Sequence, residues 1–377
     1  MSFIYKSNKL IINVSWHSTF FIVLHKFRIM SQSKDILKIF STWRIMIAVL
    51  IGFSVSLYFV LDDFELSTYS KIHWSFKASF FLVLAILLEA LRDFAYMYRI
   101  RLLTDKQISW KHSVQTIMLW EFASALTPSV VGGSAVALFI VEREIRNFGK
   151  ATAIVMITAL FDELFYVIMV PIVFLIIGTE RIFIDESFNL FNFGAFPTQY
   201  IFFLGYFFIF LLTLIITLAI FVSPGSFKKI LHYLFSLPIL RKWQQNAENM
   251  GEEIVITSRE MKGRSMSFWL KVWASTMVSW TARFAVINVL ILTLFSFSDQ
   301  LLIFGRQLAM WVILLISPTP GGSGIAEFIL PKFLGEFMHP FDHEVAFTWR
   351  LLSYYSYLII GSIILPIWLK RVLKKQK

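Results

Sequence analysis

The chain is built from a succession of apolar stretches, set apart by short charged segments: Trp43 to Leu61, then residues 74–98, 151–177, 200–222, 268–297 and 345–369. In hydrocarbon every backbone N–H and C=O must find its partner within the segment, so stretches of this length fold as helices that cross a bilayer. Composition agrees: 57% of the residues are hydrophobic and 41 are Phe, too apolar for a surface in water. The chain has no Cys, which excludes disulfides and thiolate metal sites. The net charge is +11, but Lys and Arg gather between the apolar stretches rather than along one face. Charge therefore reports orientation in a membrane, and no nucleic-acid partner is expected.

Lys34, Lys38 and Arg44 precede the first span and the acidic "DDFEL" follows it, so the chain starts in the cytoplasm. The second span ends in Arg99, Arg101, Lys106 and Lys111, which mark the cytoplasmic side again. Residues 112–141 come next and lead to "EREIRNFGK", also basic, so a full crossing contradicts the charge rule. A hairpin that enters from the cytoplasm and turns at Pro128 to Gly133 removes the conflict. The segment 223–266, with Lys228, Lys229, Arg241, Lys242, Arg259, Lys262 and Arg264, reads as cytoplasmic, helical and lying on the membrane surface. A second interrupted stretch, 301–338, leads to the acidic "GEFMHPFDHE" and so dips from outside. The tail 371–377 is basic and cytoplasmic.

The expected fold is an all-α polytopic membrane protein with six full spans and two broken re-entrant helical hairpins. It is multi-pass in the cytoplasmic (inner) membrane, with both termini cytoplasmic. Residues 40–370 form a single transmembrane domain, and residues 1–39 are an N-terminal extension, disordered or interfacial.

The two interruptions resemble each other. "TPSVVGGSAVALF" at 127–139 and "SPTPGGSGIAEF" at 317–328 share a proline followed by Gly-Gly-Ser, and superposing the triplets gives an offset of 189 residues. Units 74–177 and 263–369 then each read span, broken hairpin, span, in opposite orientation. Inverted-topology repeats imply a carrier with a midplane site between like halves; the alternative is a duplication kept for packing. Irregular backbone at membrane depth is tolerated against protein or a water-filled cavity, and two hairpin tips meeting from opposite faces would form one. Half-helices starting near Ser134 and Ser323 would aim free N–H groups at an anionic group. Pro128, Gly132, Gly133 and Ser134, with Pro320, Gly321, Gly322, Ser323 and Gly324, are assigned to that substrate site.

Charges inside spans add to it, because each is costly at the helix centre unless paired or solvated. Glu89 and Arg92 stand three apart, on one helix face, and read as an ion pair with Asp93 beside them; Glu121 falls in the first hairpin. Asp162, Glu163, Arg283, Glu327 and Arg350 are assigned to the polar substrate path. The offset brings Asp162 onto position 351, so an acid in one half faces Arg350 in the other. Arg306 is expected to be interfacial and to snorkel.

His73, His112, His232, His339 and His343 fall in loops or at interfaces, and "HPFDHE" reads as a solvated acidic loop. No catalytic residue, metal or cofactor is assigned. The expected partners are membrane lipids, with homo-oligomerisation left open. A membrane-embedded lipid-modifying enzyme and a non-transporting scaffold are the alternative readings.

"SPTPGGSGIAEF" resembles the "PTPGGxGxxE" signature of the flippase-like family, the lysylphosphatidylglycerol synthase transmembrane region. Pro320, Gly321, Gly322, Gly324 and Glu327 match it, and the resemblance runs from about residue 40 to 370. The first break resembles the family's "P-x-x-x-G-G-(D/E)-x-x-R", but Ser134 stands where an acid is common and Ala137 where Arg is common. The resemblance implies movement of a lipid or a lipid-linked head group across the cytoplasmic membrane. Eight residues follow Leu369, so no soluble aminoacyl-transfer domain is expected here.

Overall fold

Ser75, Ser109, Asn147, Ser265 and Asp299 each precede an apolar run, and each side chain accepts the amide hydrogen of the residue three positions on. This N-cap geometry satisfies one of the orphan donors of a helix start. It opens α1 (Phe76–Leu103), α2 (Trp110–Leu126), α4 (Phe148–Ile177), α9 (Met266–Leu294) and α10 (Gln300–Leu314). At Asp299 the Leu302 amide, ahead of the Arg181 guanidinium, holds the carboxyl below its ordinary range.

A computed structural model describes residues 75–374 apart from 128, 185–186, 190–194, 239, 242–243, 296–298, 316–318 and 320. The expected extension 1–39, the first span 43–61 and the tips Pro128 and Pro320 thus lie outside the described residues. All described residues belong to one compact unit.

The remaining elements are α3 (Ser129–Ile145), a single turn α5 (Thr179–Ile182), and an antiparallel pair of short strands, β1 (Ser187–Asn189) and β2 (Ala195–Pro197), with Phe188 opposite Phe196. There follow α6 (Thr198–Thr217), α7 (Pro224–Ser236), α8 (Gln244–Lys262), α11 (Ile325–Met338), α12 (Asp342–Arg350) and α13 (Ser356–Lys374). Wider π turns extend α6 over Leu218–Val222 and join α12 to α13 over Leu351–Tyr355.

Among the described residues, four helical stretches are long and apolar enough to cross a membrane: Phe148–Ile177, Thr198–Val222, Met266–Leu294 and Asp342–Val372. They make this a multi-pass membrane protein. α1 has the length, 28 residues, but carries Glu89, Arg92, Asp93 and Arg99. α2, α10 and α11 hold 17, 15 and 14 residues, which at about 1.5 Å each is roughly 21–26 Å, short of a ~30 Å hydrocarbon core.

α1 packs along α9, and α4 lies against both α9 and α10. An aromatic cluster fills the junction: Phe165 stacks on Trp280 at 5.7 Å and on Phe284 at 6.2 Å, and Tyr166 meets Trp280 edge-on at 5.0 Å. On the outer side of α6, Phe203, Leu204, Phe207 and Phe208 are all more than half exposed. Such a stripe is the face a spanning helix turns to lipid.

The segment 223–266 contains two helices, α7 lying against α8 with Lys228 and His232 on Glu252 and Glu248 at 2.9 and 2.8 Å. It also docks onto the helix ends: Thr257 donates to the Gly149 carbonyl and Ser258 to that of Ile220.

Candidate functional site

The first break falls earlier than the sequence suggests. α2 ends at Leu126 and α3 begins at Ser129, so Gly132, Gly133 and Ser134 are inside a helix rather than before it. The Ser134 amide is therefore no helix-terminal donor, which corrects the expected half-helix start. Gly133 has a different use. A Cβ there would run into the Ser124 side chain and stand 3.1 Å from its Cα, so this glycine lets the two arms of the hairpin approach.

The second break matches the expectation more closely. Gly321, Gly322 and Gly324 have φ of +55°, +70° and +82°, the left-handed region open to glycine. α11 begins at Ile325, and Glu327 in its first turn reaches back, its carboxylate accepting from the Gly324 amide at 2.9 Å. The positive end of α11 thus carries an acid of its own chain. The other oxygen of Glu327 accepts from Arg350 Nε at 2.9 Å, while Arg350 Nη2 donates to the Gly321 carbonyl and to Ser323 Oγ, both at 3.3 Å. The guanidinium lies 3.9 Å over the Tyr354 ring. Tyr354 comes from the π turn, a widening often found at functional sites, and its hydroxyl donates to the Ala125 carbonyl at 3.3 Å. The Gly321 amide donates to the Thr127 carbonyl at 3.4 Å. The two breaks therefore touch.

Beside them four helices converge through charge. Arg92 of α1 is buried and meets Glu89 at 3.1 Å and Glu121 of α2 at 2.6 Å. It also donates to the Tyr357 hydroxyl, which in turn donates to Asp93. Arg99 grips Asp162 of α4 with both terminal nitrogens, at 2.7 and 3.0 Å, and Trp280 Nε1 of α9 donates to the same carboxylate at 2.8 Å. Bidentate guanidinium pairs of this kind fix orientation as well as charge. Arg283 lies between the rings of Trp280 and Trp311, 4.9 and 5.1 Å from their centres, and is 3.6 Å from Glu121. Its Nε is buried without a hydrogen-bond partner among the described residues.

These groups enclose a cavity of about 290 Å³. Of the residues assigned from sequence, Ser134, Asp162, Glu163, Arg283, Gly321, Gly322 and Arg350 line it. Gly132 and Gly133 lie in α3, and Ser323, Gly324 and Glu327 stand behind Arg350. The expected meeting of Asp162 with Arg350 does not occur: each is paired elsewhere, with Arg99 and Glu327. Arg99 is not a solvent-exposed cytoplasmic marker but is buried with Asp162. Arg306 does not snorkel; it is buried, donates to the carbonyls of Arg181 and Phe333 and meets Glu336. The Glu89–Arg92 pair forms as its spacing implies.

Sequence reasoning passed over Tyr96, Trp280, Trp311, Tyr354 and Tyr357. The chain has 12 Trp and 12 Tyr, and nothing local separates those that line a cavity from those that face lipid. Among the described residues no group of three or more His, Asp or Glu is arranged to hold a metal ion.

A family model described as the lysylphosphatidylglycerol synthase TM region matches residues 45–361. The chain is also similar to a UPF0104 membrane protein of Archaeoglobus fulgidus, 25% identical over 338 residues that cover 84% of this chain and 95% of that protein. No solved structure matches the chain.

Proposed function

Because the chain belongs to the family of the lysylphosphatidylglycerol synthase TM region, we propose that it is a carrier that moves a lipid or a lipid-linked anionic head group across the cytoplasmic membrane. The observation that carries this reading is the cavity of about 290 Å³, lined in part by charged side chains and bordered by both broken hairpins inside a multi-pass membrane protein. A bilayer-embedded chain keeps a cluster of Arg, Asp and Glu at such a place for a path that a polar group must take. Arg283 is suited to the anion: aromatic rings hold its guanidinium on two sides, and its Nε–H has no partner. A phosphate or carboxylate oxygen would complete it.

Helix boundaries support inverted repeats as the basis of alternating access. Shifted by 189 residues, α1 falls on 265–292 against Met266–Leu294 for α9, and α2 falls on 299–315 against Gln300–Leu314 for α10. α4 falls on 337–366, against Asp342–Lys374 for α12 and α13 together. The short arms of both hairpins are consistent with segments that enter and leave on one side. The pairing of α1 with α9 would then be the interface between the two halves.

The test is a vesicle assay with fluorescently labelled phosphatidylglycerol in both leaflets and an impermeant quencher outside. Vesicles holding the full chain should lose fluorescence beyond the outer-leaflet fraction, and Arg283→Ala should slow this about tenfold, the effect of losing one charge-assisted hydrogen bond. Quenching that stops at the outer leaflet with the wild-type protein overturns the reading.

A further inference from the structure

The acids that line the cavity are not equivalent. Glu89 and Glu121 meet Arg92, and Asp162 meets Arg99, so neutralising any of them leaves a buried guanidinium short of a counter-charge, a costly loss. Glu327, behind the wall, is held twice, by Arg350 and by the Gly324 amide. Glu163 lines the same cavity, and among the described residues no ion pair or hydrogen bond engages its carboxylate. It is the one acid of the lining whose charge can change without stranding an arginine.

A second observation falls on the same helix. Thr158 and Tyr166 of α4 are 7% and 3% exposed, both line the cavity, and among the described residues neither Thr158 Oγ1 nor Tyr166 Oη has a hydrogen-bond partner. Each lies about one turn from Asp162, on either side of it along the helix, so that the two are about two turns apart, and Glu163 follows Asp162 directly. Two unpartnered hydroxyls and a free carboxylate that line one cavity are groups suited to hold water there and to hand a proton along it.

We propose that Glu163 is the proton-exchanging carboxyl of this cavity. Its carboxylate takes one proton from water on one side of the membrane and, as the cavity changes its access, releases that proton to water on the other. The titratable or charged groups that share the lining with it are Asp162 and Tyr166 of its own helix, Glu89, Arg92, Tyr96 and Arg99 of α1, Glu121 of α2, Arg283 of α9, Arg350 of α12, Tyr354 of the π turn and Tyr357 of α13. α3, α6, α8 and α10 contribute no titratable side chain to this part of the lining. Among the acids, Glu89 and Glu121 are paired with Arg92 and Asp162 with Arg99, which leaves Glu163 to carry the exchange. As a coupling device this rests on the carrier reading above, whereas the protonation itself does not.

The experiment separates the two. The full chain, in phosphatidylglycerol vesicles, is taken through a pH step and followed by infrared difference spectroscopy in the region of the protonated-carboxyl C=O stretch. Wild type should show a band that titrates, Glu163→Gln should lose it, and Glu327→Gln should keep it. A band that persists unchanged in Glu163→Gln overturns the assignment. In the labelled-lipid assay, an imposed proton gradient should change the wild-type rate several-fold and leave Glu163→Gln unaffected. A gradient effect that survives in Glu163→Gln also overturns it. Absence of any lipid movement with the band intact removes the carrier reading and leaves the proton-exchanging carboxyl standing.

Discussion

At the scale of single residues, the glycines of the two breaks do different work although their sequences match. Gly133 sits in α3 against Ser124 of α2, with no room for a side chain. Gly322 has a φ of +70°, and a Cβ there would meet nothing nearer than Ala326 Cβ at 3.9 Å. Gly133→Leu should therefore separate the hairpin arms, at a cost of about 1–3 kcal/mol or more for overpacking, and lower both the yield of folded protein and its melting temperature in detergent. Gly322→Leu carries only the left-handed backbone penalty, roughly 1–2 kcal/mol, and places its side chain at the cavity. It should fold, with lipid movement reduced at least tenfold in the vesicle assay. Equal melting temperatures for the two variants would show that the glycines are interchangeable packing positions. The same comparison shows how far a motif reads: "GGS" occurs twice, but the next helix opens before the first copy, at Ser129, and after the second, at Ile325.

At the scale of elements, the helix starts are tied together by a few polar groups at their ends. Asp105, in the turn between α1 and α2, accepts from Lys150 near the start of α4 at 3.0 Å and from Arg264 just before α9 at 2.7 Å. Burial pushes its carboxyl up, but the hydrogen bonds and charges of Arg264 and Lys150 outweigh that and hold it below the ordinary range. A carboxyl with a depressed folded value stabilises fully above the unfolded value of about 3.9 and loses that contribution as pH falls through the folded value. The three helix ends should hence hold together at neutral pH and loosen only in acid. Hydrogen exchange of the 104–108 amides, expressed as protection relative to a free peptide, should stay constant from neutrality to about pH 5 and fall below the ordinary Asp value. Asp105→Asn should show the lower protection at every pH.

At the scale of the whole molecule, orientation is the property that the carrier reading needs most. The chain has no Cys, so each introduced thiol is unique. Cysteines at Glu180 and His339 should react with an impermeant maleimide from outside intact cells. Cysteines at Asn147 and Lys262 should react only after permeabilisation. All four positions are exposed. External labelling at Asn147 would turn the α2–α3 hairpin into a crossing and remove the inverted repeat. The cavity would then lose the reason for having both breaks on its border.

What the sequence determined by itself is everything that depends on short-range chemistry. Apolar length marked the spans, because a helix in lipid needs nothing beyond its own backbone partners and an apolar surface. Pro and Gly marked the interruptions. Asp162, Glu163, Arg283 and Arg350 stood out because charge inside a span is anomalous wherever it occurs. Tertiary structure alone decided the pairing. Arg99 reads as an interfacial charge beside Arg101, and only the approach of α4 and α9 shows it buried on Asp162. Asp162 and Arg350 appear as opposite partners under the repeat offset, yet side chains reach a few ångströms, and the nearest complementary groups were Arg99 and Glu327. Which of the many Trp and Tyr hold a guanidinium was equally a matter of helix packing, since an aromatic ring in a membrane protein is at home against lipid or against protein, and only the neighbouring helix distinguishes the two.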